Sequence, residues 1–489
     1  MDAKVSSRAD CPDNILDQIK RLEELFTVET EQLKAITKHF VDELNQGLTV
    51  EGGDIPMVPT WCMGKPKGDE TGTFLAIDMG GTNLRICEIN LPEAAGAFEI
   101  TQSKYRLPEE LKSGEANELW DYVAHSIEKF VKQNHDIDEL GQLPLGFTFS
   151  YPVSQESIDH GVLQRWTKGF NVKGVEGEDV VPQFEAALAK RKLPIKLTAL
   201  VNDTTGTLIA SAYTNPEVQI GCIFGTGCNA AYMDKCGNIP KIAHLNLDPE
   251  IPMAINCEWG AFDNQHKVLP RTSYDIIIDK ASPRPGQQTF EKMVAGLYLG
   301  EIFRLTLVDL HEHPDCLMFK DQAITKLSQP YGLDASFLSK IEVDPFENLD
   351  ETAELFHSTL DIKPSRHELE LIRRLAELIG TRAARLTACG IAAICTKQNW
   401  TTAHVGADGS VFTHYPHFKA RQAQALKEIL DWPANQGKGA GDPIEVVAAE
   451  DGSGVGAALI AALTIKRVQD GNVAGIKNVD GVRAAAGIA

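Results

Sequence analysis

Residues 75–85 read Leu75-Ala76-Ile77-Asp78-Met79-Gly80-Gly81-Thr82-Asn83-Leu84-Arg85. An apolar run beginning at Phe74 ends in Asp78 and two adjacent glycines, after which Leu84 and Ile86 alternate with polar neighbours, the pattern of strand, tight turn, strand. Paired glycines permit φ > 0 and bring backbone N–H groups close to an anion. Thr82 and Asn83 can donate to phosphate oxygens, and the Asp78 carboxylate can hold a hydrated Mg²⁺. The segment is therefore a candidate phosphate-cradling hairpin, with an ordinary Asp/Gly turn as the alternative. It is not a Walker A loop, because no Gly-Lys-Ser/Thr follows and the turn leads into a strand.

Outward from this hairpin, strands and helices alternate. Residues 145–149, 197–201 and 220–224 are strand candidates, each stopping at a polar or glycine-rich turn. Leu119, Trp120, Val123, Ile127, Phe130 and Val131 mark a helix, and Ser365 with Glu368 forms a capping box before a long one through Leu369, Ile372, Leu375 and Ile379. Ile15, Ile19, Leu22 and Phe26, then Leu33, Ile36, Phe40 and Leu44, give two amphipathic helices at the start. Pro56, Pro59 and Pro66 make residues 55–68 an extended connector. The mixture implies α/β layers around buried sheet, with no fixed-period repeat. The loose, poorly hydrophobic stretches are the ends and residues 435–442.

Four further segments carry chemistry. Phe224-Gly225-Thr226-Gly227-Cys228-Asn229 is a second strand running into a glycine turn. Alone it is a plain turn as readily as a ligand loop, but two such turns about 145 residues apart are what facing halves need to grip one triphosphate. In Leu200-Val201-Asn202-Asp203-Thr204-Thr205-Gly206 a strand delivers Asn202 and Asp203 to its C-terminal end and to the start of a helix, where α/β sheets place ligands. Asp203 can accept a hydroxyl proton there; the alternative is that either residue merely caps the helix. Residues 145–152, continuing to Gln164-Arg165-Trp166-Thr167-Lys168-Gly169-Phe170, set hydrogen-bond donors among aromatics, suited to a neutral polyhydroxylated ligand or to a core edge. Asp451-Gly452-Ser453-Gly454-Val455-Gly456 has too little chain after it for a dinucleotide-binding unit, so its glycines let a helix end pack closely against a nucleotide or the sheet, with pure packing as the alternative.

Composition narrows the classes. The 489 residues allow two or three domains, and 43% hydrophobic with 24% charged is a globular balance. Lys+Arg is 47 against Asp+Glu 68, a formal charge of −21, the wrong sign for a nucleic-acid partner. The ten cysteines include no C-x-x-C pair, which fits free thiols in a reducing compartment. Neither a signal peptide nor a transit peptide is visible at the start, so a cytoplasmic protein is expected. The most apolar run, 386–395, is half the roughly 20 residues that cross a bilayer, and no membrane span is expected.

Taken together, LAIDMGGTNLR (75–85), LGFTFSYPVSQ (145–155), LQRWTKGF (163–170), LVNDTTGTL (200–208), IFGTGCNAAY (223–232), INCEWGAF (255–262) and PGQQTFEKM (285–293) resemble hexokinases. The match runs over nearly the whole chain and at single-unit length, and SPRPGQQTFEKM with DPFENLDET (344–352) looks most like the fungal branch. The resemblance implies a two-domain actin-like ATPase (ribonuclease H-like) α/β fold with a hinged cleft. Residues 1–65 would form N-terminal helices and a connector on the large domain, 66–201 the small domain, completed by a helix over about 454–468, and 202–453 the large domain. It implies ATP-dependent phosphorylation of glucose, and also fructose and mannose, at the 6-hydroxyl, the first step of glycolysis, with Mg²⁺ accompanying ATP and the cleft closing on the sugar. Asp203 would be the catalytic base. Ser150, Thr167, Lys168, Asn202, Asn229, Glu258 and Glu291 would contact sugar hydroxyls. Asp78, Gly80, Gly81, Thr82, Asn83 and Arg85, with Gly225, Thr226 and Gly227, would line the phosphates, and Gly409 and Ser410 the adenosine. The expected partners are hexose and ATP, with no nucleic acid, and the chain would act as a monomer or homodimer. A silent sugar sensor is disfavoured by the intact Asp203 and both turns, and an ATP-driven switch has no use for WTKGF beside NDTTG.

Overall fold

The computed structural model describes residues 13–488 except 95, 138, 139, 168, 315, 317, 433–440 and 450. Its strands are β1 (Val58–Met63), β2 (Gly72–Met79), β3 (Asn83–Leu91), β4 (Glu99–Arg106), β5 (Leu143–Phe149), β6 (Val153–Ser154), β7 (Val162–Leu163), β8 (Ile195–Val201), β9 (Val218–Phe224), β10 (Cys228–Lys235), β11 (Pro252–Asn256), β12 (Ala403–Asp408) and β13 (Ile444–Ala448). They form a five-stranded sheet in the order β4-β3-β2-β5-β8 and a six-stranded sheet in the order β1-β11-β10-β9-β12-β13, with β6 and β7 a separate pair.

The two sheets repeat one plan. In the first, β2, β3 and β4 form an antiparallel meander and β5 and β8 continue parallel to β2. In the second, β9, β10 and β11 form the meander and β12 and β13 continue parallel to β9. The β2–β3 turn holds Gly80 and Gly81, and the β9–β10 turn in the same topological place holds Gly225, Thr226 and Gly227. Two halves of the actin-like kind, each with a glycine turn at the corresponding corner, are the expected architecture.

Helix Asp203–Thr214 carries the chain from β8 of one sheet to β9 of the other, and Gly452–Gln469 returns from β13 to pack on β2, β5 and β8. The two helices cross at backbone contact, since a Cβ on Gly456 would overlap the Gly206 carbonyl and one on Gly452 would overlap Thr207. This is the close packing expected of the third glycine cluster.

Buried side chains fall into two cores. The smaller lies against the five-stranded sheet around Trp120, Phe147, Phe149 and Phe184. The larger is built around Arg366–Gln398, a 33-residue helix capped by Ser365 and Glu368 as expected. This helix is long and apolar enough to span a bilayer, yet 89% of its apolar window is buried, against both N-terminal helices and other neighbours. The N-terminal pair runs Asp13–Phe26 and Thr30–Thr49.

One expectation is corrected. The proline-rich connector contains a regular element, because Val58–Met63 pairs antiparallel with β11 as the edge strand of the larger sheet. Proline survives at an edge, where a missing N–H breaks no ladder, and the register shifts between Pro59 and Met63, where Trp61 takes φ +60. The nine described cysteines are all buried and unpaired.

Candidate functional site

The cleft wall begins at the end of β8. Asn202 is the N-cap of helix Asp203–Thr214, its side-chain oxygen accepting the Thr204 N–H at 2.9 Å, so the capping role belongs to Asn202 and not to Asp203. Asp203 occupies the first helical position, with the Thr204 hydroxyl donating to its Oδ1 at 3.2 Å. The sequence had left open which of the two was the cap, and the structure separates them.

Facing this helix end is a polar cluster on the larger sheet. Asn229, on β10, donates to Asn256 Oδ1 (2.8 Å) and Glu258 Oε1 (3.2 Å), and accepts the Glu258 N–H (2.9 Å). Asn256 also donates to Glu258 Oε1 at 2.8 Å. Glu258 has φ +57, a left-handed conformation uncommon for a residue with a side chain, held here by the Asn229 contact. Glu291 accepts the Cys228 N–H at 2.9 Å, and a Cβ on Gly227 would lie 2.7 Å from its Oε2, so glycine at 227 is what admits the carboxylate.

Between the walls is a cleft of about 660 Å³ lined by residues of both halves, among them Phe149, Tyr151, Arg165, Asn202, Glu258 and Gln288. Of the expected sugar contacts, Asn202 and Glu258 line it directly. Asn229 stands behind Glu258 through the bonds just given, Ser150 and Asp203 are chain neighbours of lining residues without being among them, and Thr167 and Glu291 are not among the lining residues. Lys168 lies outside the described residues. The WTKGF aromatics form a core edge: Trp166 stacks on Phe170 and meets Tyr151 edge-on at 4.9 Å, and of these three Tyr151 lines the cleft.

The hairpin after β2 opens into a second pocket of about 410 Å³ lined by Asp78, Gly80, Gly81, Thr82, Asn83, Arg85, Lys104 and Ser453. Ser453 Oγ donates to Asp78 Oδ2 (2.7 Å) and accepts from Arg85 (2.7 Å), while Arg85 pairs with Asp451 at 2.6 Å. The Tyr151 hydroxyl donates to the Gly80 carbonyl at 3.1 Å, tying the cleft wall to the hairpin, and burial pushes its ionisation well up. Burial likewise pushes the Cys87 thiol, on the strand carrying Arg85, up to about 12.

The turn after β9 meets the end of β12. Gly409 has φ +106 and packs so closely on Phe224 and Gly225 that a Cβ would clash with their backbone, which places Ser410 beside Gly225. The Gly296 N–H bonds the Gly225 carbonyl at 2.8 Å, bringing Leu297 to the same corner. Neither Gly225–Gly227 nor Gly409–Ser410 lines either of these two cavities, so the two glycine turns share neither of them.

Four contributors escaped the sequence reading. Lys104 stands opposite Arg85 only through β3–β4 register, a pairing no local motif reports. Asp451 and Ser453 were visible in the third glycine cluster, where a serine between glycines at a helix start was the available signal. Gln288, in PGQQTFEKM, lines the cleft from a left-handed N-cap position.

Among the described residues one group has metal-site spacing, His39, Glu43 and Asp263. Both Asp263 oxygens already accept the N–H groups of Lys267, Val268 and Leu269. Burial pushes Glu43 up to about 7.

Two family models, both described as hexokinase, match residues 18–213 and 219–463. The chain is 64% identical to a hexokinase of Emericella nidulans over 482 residues, covering 99% of this chain and 98% of that one. It is 52% identical to hexokinase-1 of Saccharomyces cerevisiae, covering 97% of each. Among solved structures, a hexokinase from Schistosoma mansoni complexed with glucose superposes with a TM-score of 0.81 at 33% identity, over 92% of this chain and 99% of that one.

Proposed function

The chain belongs to the hexokinase family and phosphorylates hexoses with ATP in glycolysis, and on that premise we propose how its own residues divide the work. The observation that carries the proposal is the helix start at Asn202–Asp203, facing the Asn229–Asn256–Glu258 cluster across a cleft shared by both halves. Asp203 is the general base that takes the proton of the 6-hydroxyl, since Asn202 discharges the capping duty and leaves that carboxylate for chemistry. Asn202, Asn229, Glu258 and Glu291, with Ser150, Thr167 and Lys168 from the opposite loops, hold the other hydroxyls. A carboxylate there accepts hydrogen bonds from a matching epimer and is left unpaired by the wrong one.

Phosphates are gripped by Asp78 to Arg85 on one side and by Gly225, Thr226 and Gly227 on the other, with Gly409 and Ser410 beside the adenosine. Leu297, whose N–H bonds the Thr226 carbonyl at 3.3 Å and whose side chain is exposed, offers apolar surface for a base. We assign Mg²⁺ as the divalent cation of the ATP complex. Asp78, a hard oxygen donor beside the glycine hairpin, fits its hydrated form, and the ion would neutralise phosphate charge.

Residues 66–201 with the helix near 454–468 act as the small domain and 202–453 as the large one, residues 1–65 packing on the latter. Phosphoryl transfer needs alignment and charge stabilisation more than covalent help, so the separated turns must approach each other, and closure on the sugar supplies this while excluding water as rival acceptor. Glucose, fructose and mannose are the proposed substrates in the cytoplasm, where nine buried free thiols fit a reducing medium. Each chain holds a complete site, as either a monomer or a homodimer requires. The test is Asp203→Ala: glucose binding by calorimetry should survive while turnover falls at least about a hundredfold, the scale of losing a general base. Turnover near that of the parent enzyme would refute the assignment.

A further inference from the structure

The sugar-side wall over residues 284–291 is fixed from behind by buried charge. Helix Thr289–Val294 has only six residues, too few to hold its own orientation, and its two charged side chains leave it on different sides. Glu291 meets the Cys228 N–H, whereas Lys292, whose side chain is 4% exposed, donates to Asp279 Oδ1 on helix Ser273–Ala281 at 2.7 Å and to the Arg284 carbonyl at 2.8 Å. Asp279 in turn accepts the Gly286 N–H at 3.0 and 3.1 Å and lies 3.6 Å from Arg271. The Lys292 N–H closes the loop by bonding the Gln288 carbonyl at 3.0 Å.

The loop these bonds restrain runs along the cleft. Gly286, Gln287 and Gln288 line it, and Gln288 is held at φ +55, a conformation that persists only when its surroundings enforce it. Its Oε1 lies 3.1 Å from where a Cβ on Gly260 would stand, against the segment that carries Glu258. A buried lysine paired with an aspartate is a poor way to gain stability, because desolvation offsets most of the attraction, but a good way to fix geometry.

We propose that the Asp279–Lys292 pair is a positioning device that sets the Gln288–Glu291 wall and thereby decides which hexoses the cleft accepts, an inference that rests on the sugar-side assignment of that wall. Neither residue touches substrate. Both act through the rotation of one short helix and the path of one loop.

Lys292→Met keeps an unbranched side chain, one heavy atom shorter, and removes the charge. It should raise the KM for glucose at least about tenfold, leave the KM for ATP within about twofold, and shift the glucose-to-fructose ratio of kcat/KM at least about threefold, the scale on which small misplacements act. Asp279→Asn should give the same split, Lys292→Arg should recover most of the glucose affinity, and the double variant Asp279→Asn/Lys292→Met should be little worse than either single one. A uniform loss for all sugars and for ATP, or an unchanged ratio in a folded variant, would overturn the inference. If Lys292→Met fails to fold by circular dichroism, Asp279→Asn decides by the same criteria. Glu291→Gln run alongside separates the two levels: an unchanged sugar KM there sinks the wall assignment itself, whereas a raised one with Lys292→Met unaffected sinks only the positioning role.

Discussion

Glu43 shows how a single buried carboxyl ties the cleft's foundation to pH. It sits on helix Thr30–Thr49 with His39 at 3.1 Å, and its carboxyl is pushed up to about 7 chiefly by burial, with the Asp263 N–H opposing and the charges of Asp54 and Asp263 adding. A folded-state value above the ordinary one means the native protein binds more protons than the unfolded chain between about pH 4.5 and 7. This contribution is therefore fully present below that window and lost as pH rises through 7. Thermal melts should show the parent losing of order 1 kcal/mol more than Glu43→Gln between pH 5.5 and 8. Equal losses in the two proteins would contradict it. Neither the burial nor the partners of Glu43 can be read from a helix whose periodicity marks it only as polar, whereas Asp203 was legible because an apolar strand ending in Asn-Asp before a helix is a local pattern.

Helix against helix, the decisive contact is the crossing of Asp203–Thr214 with Gly452–Gln469. One begins with Asp203, and the other carries, one residue inside its start at Gly452, Ser453, whose hydroxyl bridges Asp78 and Arg85, so the crossing sets the spacing between Asp203 and the Asp78–Arg85 hairpin. Gly456→Ala would drive a methyl into the Gly206 carbonyl. It should cost roughly 1 to 3 kcal/mol in denaturant melts and lower kcat at saturating sugar and ATP. A variant as stable and as fast as the parent would show that the helices do not need this proximity. Largely buried strands, such as Gly72–Met79 and Ile195–Val201, were legible as short apolar runs stopping at polar or glycine-rich turns. Val58–Met63 was hidden by its prolines, and Glu99–Arg106 by an exposed, polar edge that carries no hydrophobic signal.

For the whole molecule, the repeated plan of meander plus two parallel strands places a glycine turn at the same corner of each half. No residue-level repeat accompanied it, because the halves share a chain path and not side chains, so duplication was invisible except through the two turns themselves. Alternating strands and helices were enough to foresee α/β layers, and the resemblance to hexokinases implied two such halves around a cleft; that the second glycine turn lines neither of the two cavities emerged only from the assembled sheets. The measurement that bears most directly on the central claim is a crystal structure with glucose and a non-hydrolysable ATP analogue. The account predicts the two glycine turns drawn onto one triphosphate, and an Asp203 carboxylate oxygen within about 3 Å of the sugar's 6-oxygen. A bound hexose with Asp203 turned away from that oxygen while both halves grip the nucleotide would contradict it.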